Sequence, residues 1–110
     1  MAARELLARG TDPNQSDEAG WCPLLMAAIV GPAELVAALL DAGADVNARA
    51  PDGTTPLMKA TLWRQADIVR LLLAHGADAR LLDERGWTAA IIAANVGDRE
   101  LVALLEKHGR

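Results

Sequence analysis

Few residues of this chain could carry covalent chemistry. There is one cysteine, Cys22, one serine, Ser16, and two histidines, His75 and His108. A catalytic nucleophile needs a base within hydrogen-bond reach and a third group to orient that base. No spacing here suggests such an arrangement for Ser16 or Cys22. His75 and His108 lie 33 residues apart, each just before a glycine, which reads as a helix end rather than a metal site. A lone cysteine lacks the companions of a zinc centre. Met1, Met26 and Met58 show no ligand-like spacing and suit core or loop filling. The glycines recur too regularly and too far apart for a phosphate-cradling loop. No catalytic residue, cofactor or metal is expected, and the chain reads as a non-enzyme. Beyond these groups the chain offers three tryptophans, Trp21, Trp63 and Trp87, a residue type enriched at binding hot spots.

The charge balance narrows the partner. Fifteen acidic residues against 11 Lys and Arg leave a net charge of −4, so a phosphate backbone finds no basic surplus and nucleic acid is not expected. No stretch approaches the roughly 20 apolar residues of a membrane span, and the start, Met1 to Glu5, lacks the apolar core of a secretory signal. With a single cysteine, a reducing compartment follows. The expectation is a soluble cytoplasmic protein, or a nuclear one in a eukaryote.

The elements that would hold the tryptophans are set by a repeat. Gly10, Gly43, Gly76 and Gly109 are spaced by 33 residues, and each closes an apolar segment as a glycine past a helix C-terminus does. Gly20, Gly53 and Gly86 keep the same spacing in turn-rich segments such as Ala50-Pro51-Asp52-Gly53. Between them Leu35, Val36, Leu39 and Leu40 match Ile68, Val69, Leu72 and Leu73, then Leu101, Val102, Leu105 and Glu106, with Ala2, Ala3, Leu6 and Leu7 as a fourth copy. Spacings of i, i+1, i+4 and i+5 give each copy one buried helical stripe. A shorter helix precedes each complete one, opened by Thr55-Pro56 and by Thr88. Glu34, Asp67 and Glu100 fall in first turns, and Arg9, His75 and His108 in last turns, as the helix dipole favours. With 52% hydrophobic residues but no Phe or Tyr, the core must be built from small aliphatic side chains on packed helices.

These residues resemble the ankyrin repeat. The likeness is carried by Asp17 to Gly20 with Pro23-Leu24, by Gly53 with Thr55-Pro56-Leu57, by Asp83 and Gly86 with Thr88, and by Gly43-Ala44-Asp45 and Gly76-Ala77-Asp78. It implies an all-α ankyrin-repeat solenoid of helix-turn-helix units with protruding hairpin-like loops, about three and a half repeats long. One domain spans 1–110: a partial repeat at 1–10 holding a second helix only, repeats at 11–43 and 44–76, and a C-terminal repeat at 77–110. The sequence departs from the family pattern in four ways. Leu25, Met58 and Ile91 replace its histidine, so apolar packing must stand in for that residue's polar ties between loops. Cys22 takes a capping threonine's place, Ala50 a turn aspartate's, and Arg64 the mid-repeat glycine's. The second repeat is therefore expected to have the least regular loop between its helices. Glu106, and Glu5 at the front, read as polar ends of the stack.

Partners of such stacks usually bind the concave face formed by hairpin tips and first helices. Carried over residue by residue, the family's contact positions fall on Glu18, Ala19, Trp21, Ile29 and Val30, on Pro51, Asp52, Thr54, Leu62 and Trp63, and on Glu84, Arg85, Trp87, Asn95 and Val96. All three tryptophans belong to that set. Trp21 and Trp87, directly after turn glycines, equally suit a structural wedge between loops, whereas Trp63 has no evident structural duty. Asp45-Val46-Asn47 is similar to sites that asparagine hydroxylases accept in ankyrin repeats, although a structural place in the loop accounts for it as well. The function expected is a non-catalytic module that binds a partner protein and is itself monomeric. The alternatives are a self-associating segment of a longer array and an engineered scaffold. The irregular framework at Cys22, Ala50 and Arg64 favours a natural origin over the latter.

Overall fold

The computed structural model describes residues 14–108. The half-repeat expected at 1–10, with Glu5 and Arg9, lies outside the described residues. Six helices follow in pairs: α1 (Pro23–Val30) with α2 (Ala33–Asp41), α3 (Pro56–Leu62) with α4 (Ala66–Ala74), and α5 (Ala89–Asn95) with α6 (Arg99–His108). Among the described residues there is no strand, and no helix is long and apolar enough to cross a membrane.

Local chemistry explains where each first helix begins. The Thr55 hydroxyl accepts the N–H of Met58 at 3.2 Å and the Thr88 hydroxyl that of Ile91 at 3.3 Å, satisfying donors that a helix start leaves unpaired. Cys22 occupies the same place on α1 but makes no side-chain cap, and Pro23 at the first helical position is what remains of the start signal. The second helices close alike. Ala44 donates to Leu39 and Ala77 to Leu72, at 2.9 and 3.0 Å, around Gly43 and Gly76.

Packing then follows the period. Within α4, Ile68, Val69, Leu72 and Leu73 are the buried stripe, as the spacing requires. First helices contact in succession, α1 on α3 and α3 on α5, and α2 packs on α4; α4 and α6 make no comparable contact. The last repeat is thus joined to its neighbour mainly through first helices and loops. Leu24, Leu25, Val36, Leu39, Leu57, Met58, Val69 and Leu72 are buried almost completely, each worth about 1.5–3 kcal/mol against exposure.

The loops between helices reverse one expectation. In the second repeat Arg64 donates to Thr61 O and Gln65 to Ala60 O at 3.1 and 2.8 Å, and in the third Gly97 donates to Ala94 O and Asp98 to Ala93 O at 3.2 and 3.0 Å. The two turns share these bonds because Arg64 takes the glycine conformation, with φ 56° against 78° at Gly97, and the second adds only a bond from Ala66 N to Arg64 O at 3.0 Å. A non-glycine residue there costs about 1–3 kcal/mol, and the Arg64 Nη2 bond to Val96 O, at 2.5 Å, offsets part of it. The irregular loop belongs to the first repeat, where α1 runs one residue longer and Gly31 has ψ −165°.

Restoring the missing cap tests this account of helix starts. Cys22→Thr should raise the stability of the domain by about 0.5–1 kcal/mol, seen as a higher urea midpoint with unchanged slope; an unchanged or lower midpoint would show that the buried sulfur's packing outweighs the cap.

Candidate interaction surface

The tips are built on carboxylates. Asp17 Oδ1 accepts the N–H groups of Ala19 and Trp21, both at 2.9 Å, and Asp83 Oδ1 accepts those of Arg85 and Trp87 at 2.8 and 3.0 Å. Ala50 removes that group from the middle repeat, and Asp52 replaces it from two residues on, taking the N–H and hydroxyl of Thr54 at 3.1 and 2.6 Å. Gly53 completes this turn at φ 80°, where a Cβ would lie 3.1 Å from the backbone nitrogen of Glu84 in the next tip. Only a bare backbone lets the two tips approach so closely.

The carboxyl groups are tuned by these contacts. Burial would raise Asp83, but the N–H of Trp87 and the guanidinium and N–H of Arg85 outweigh it and hold the carboxyl below its usual range. The Thr54 hydroxyl does the same for Asp52 against slight burial, helped by Lys59. The N–H of Arg80 leads in lowering Asp78.

The three tryptophans divide into two kinds. Trp21 and Trp87 are half-buried against the core, each beneath a cation: Lys59 Nζ lies 4.8 Å from the Trp21 ring and Arg85 Cζ 3.9 Å from that of Trp87. Trp63, the C-cap of α3, is 60% exposed, next to Leu62 at 48%, while Val30 stands 72% exposed at the end of α1. Asn95 and Val96 hold the corresponding places on α5, Asn95 exposed and Val96 half-buried. The first-helix ends therefore carry an apolar row that the core does not cover.

Other expected contact residues are spent differently. Thr54 stands where the other repeats have tryptophan, yet it is buried, its hydroxyl committed to Asp52, so it offers no contact surface. Arg85 is locked on Asp83 Oδ2 through Nε and Nη2 at 3.1 and 2.8 Å. Ile29, half-buried, gives its carbonyl to Gln65 Nε2 at 2.9 Å. Glu18, Asp52 and Glu84 remain exposed at the tips.

Sequence reading missed Lys59. Its column in the period holds Met26 and Ile92, and a charge in an apolar column was the available signal. The side chain is buried to within 11%, with the ammonium 3.6 Å from Asp52 Oδ2 and against Trp21. Also missed were polar ties between loops, expected to be wholly replaced by apolar packing. Asn14 accepts from Asp45 N at 2.6 Å and donates to Gly43 O at 2.9 Å. Asn47 accepts from Asp78 N at 2.8 Å, the structural place in the loop open to it, and Arg49 donates to Leu82 O at 2.7 Å. Leu25 and Met58 are buried as expected, but Ile91 is 44% exposed.

His75 sits at a helix end, its Nδ1 3.0 Å from Leu71 O and its Nε2 3.8 Å from Asp41. Among the described residues no three His, Cys, Asp or Glu side chains are grouped to hold a metal ion. An open groove of about 500 Å³ lies between α5 and α6, lined by Ala94, Gly97, Asp98, Arg99, Val102, Ala103 and Glu106. It includes none of the expected contact residues.

Because the carboxyls of Asp52, Asp78 and Asp83 are lowered in the fold, the unfolded chain takes up protons first as pH falls. Their contribution is complete above the usual carboxylate range and is lost on descending through it, so the urea midpoint should drop from about pH 5 downward. Asp83→Asn should lower stability at pH 7 and make the decline shallower; a parallel decline in wild type and variant would refute the role given to Asp83.

A search among curated proteins returned no match. A family profile for ankyrin repeats in three copies matches residues 2–83, and the α5–α6 pair beyond that span repeats the pairing of the helices within it. With the family pattern covering most of the chain and stacked helix pairs carrying it in space, this chain belongs to the ankyrin-repeat family.

Proposed function

We propose that the chain is a non-catalytic module that binds a partner protein on its concave side, with Trp63, Leu62 and Val30 as the apolar centre and the tips bearing Glu18, Asp52 and Glu84 as a polar rim. Ankyrin repeats are in general protein-interaction modules, and the choice of surface is our own. The observation that carries it is the exposure of Trp63 and Leu62 at the end of α3, whose other residues are all buried, with Val30 exposed at the equivalent place on α1. A large aromatic fixed to a helix end loses little freedom on docking, and contiguous apolar surface of this kind is where hot spots form. Trp21 and Trp87 contribute by stiffening the tips, and Asn95 and Val96 extend the row onto the third repeat. We place the domain at 1–110, in the cytoplasm.

One observation favours a second reading, self-association through the end of the stack. Ile91 is exposed where Leu25 and Met58 are buried. A mass by light scattering that stays monomeric across a concentration series would remove that reading.

The first reading separates the tryptophans by experiment. Trp63→Ala should weaken capture of the cellular partner at least tenfold while changing stability by no more than about 0.5 kcal/mol. Trp87→Ala should instead cost about 1–3 kcal/mol of stability. Undiminished capture by Trp63→Ala, measured beside its urea midpoint, would overturn the choice of surface.

A further inference from the structure

Among the described residues Arg49, Arg64, Arg99 and Lys107 have no carboxylate partner, and of these only Arg64 directly follows the exposed Trp63. Lys59, Arg70, Arg80 and Arg85 each stand against a carboxylate, and Arg49 spans two carbonyls. Arg64 is exposed and bonded to a carbonyl, Val96 O, and among the described residues no carboxylate pairs with it. Asp98, on the neighbouring turn, has Oδ1 committed to the N–H of Leu101 at 3.1 Å. The backbone of Arg64 is held in the left-handed region at φ 56°, where the other two repeats have Gly31 and Gly97. Folding thus retains a strained residue directly after the most exposed tryptophan, and the bond to Val96 O holds its guanidinium in place.

From this we infer that the partner presents a carboxylate side chain close to a bulky apolar one, the carboxylate taken by Arg64 and the apolar group by Trp63, Leu62 and Val30. This rests on the reading of the first-helix ends as the binding face. One of the five guanidinium N–H groups goes to Val96 O, and the fork left over matches a carboxylate with two parallel hydrogen bonds. The charge complementarity is local. The chain's net charge of −4 repels an acidic ligand at long range, so the match depends on this one cation, next in the chain to Trp63, rather than on a basic field.

The test uses a random twelve-residue peptide library displayed on phage and panned on the full chain. Enriched peptides should carry Asp or Glu within two positions of Leu, Ile, Phe or Trp. For one such synthetic peptide, Arg64→Gly should weaken binding about tenfold or more while leaving the fold at least as stable, since glycine relieves the backbone. Replacing the peptide's acid by its amide should cause a similar loss, and the two losses should not add in a double-mutant cycle. Arg64→Lys keeps the charge without the fork and should fall between. No enriched binder, binders without an acid, or an affinity unchanged in Arg64→Gly while Trp63→Ala still weakens binding would overturn the carboxylate assignment. Binding insensitive to Trp63→Ala would instead overturn the choice of face.

Discussion

A repeat of this chain cannot bury its own apolar stripe, and the rest of the structure answers to that constraint. The core has no Phe or Tyr to fill space, so close packing must come from small aliphatic side chains meeting in register across repeats. Whether a position is buried is therefore decided by its neighbour. Ala28 and Thr61 are fully buried in their columns, while Ala94, the next in line, is exposed. Val36 and Val69 are sealed and Val102 is only half covered. Thr61 survives in an apolar column because its hydroxyl donates to Leu57 O at 2.7 Å, leaving no unpaired polar group inside. Stability of this kind is a sum over neighbouring pairs.

Apolar stripes alone would tolerate sliding, and directional bonds remove that freedom. Asn14, Asn47 and Arg49 tie successive loops, and Arg64 and Gln65 tie successive helix ends to the carbonyls of Val96 and Ile29. All but Arg64 and Arg49 offer amide groups, which are specific in geometry and carry no charge to desolvate. The absent motif histidine is thus replaced in two ways at once: Leu25 and Met58 supply packing at its own position, and other residues supply the polar links. Asp52 shows the same tolerance, since a turn needs an acceptor near its N–H groups and not a particular residue number.

What could be read in the sequence was whatever the period carries. The helix pairs, the Thr55 and Thr88 caps, the turns at Gly43 and Gly76, and the uncapped start at Cys22 all depend on local residue type at a fixed spacing. Residues whose state depends on the next repeat were hidden. Thr54 resembles a contact position but is buried, and Lys59 looks like a surface lysine until Trp21 and Asp52 are found around it. Arg64 seemed to spoil its loop, yet the backbone keeps the glycine shape at an energetic cost and the loop that departs is the first. Exposure of Ile91 follows from its place in the last described repeat and has no counterpart in residue type.

The division among the tryptophans bears on how such a stack can recognise anything. A ring gripped by the core and capped by a cation, as Trp21 and Trp87 are, has little surface left to offer, and its bond network fixes the tip around it. A ring at a helix end, as Trp63 is, keeps its surface while its backbone is held by Lys59 O at 3.2 Å and by the turn that follows. Recognition needs both conditions in different residues, since rigidity comes from burial and contact comes from exposure, and no single side chain supplies the two in full. In this stack the two conditions fall to different repeats, with the half-buried aromatics at the first and third tips and the exposed one at the helix end of the second. In the proposed binding mode the partner meets a surface whose shape was settled when the repeats stacked, and the ordering cost of docking falls mainly on the partner's side.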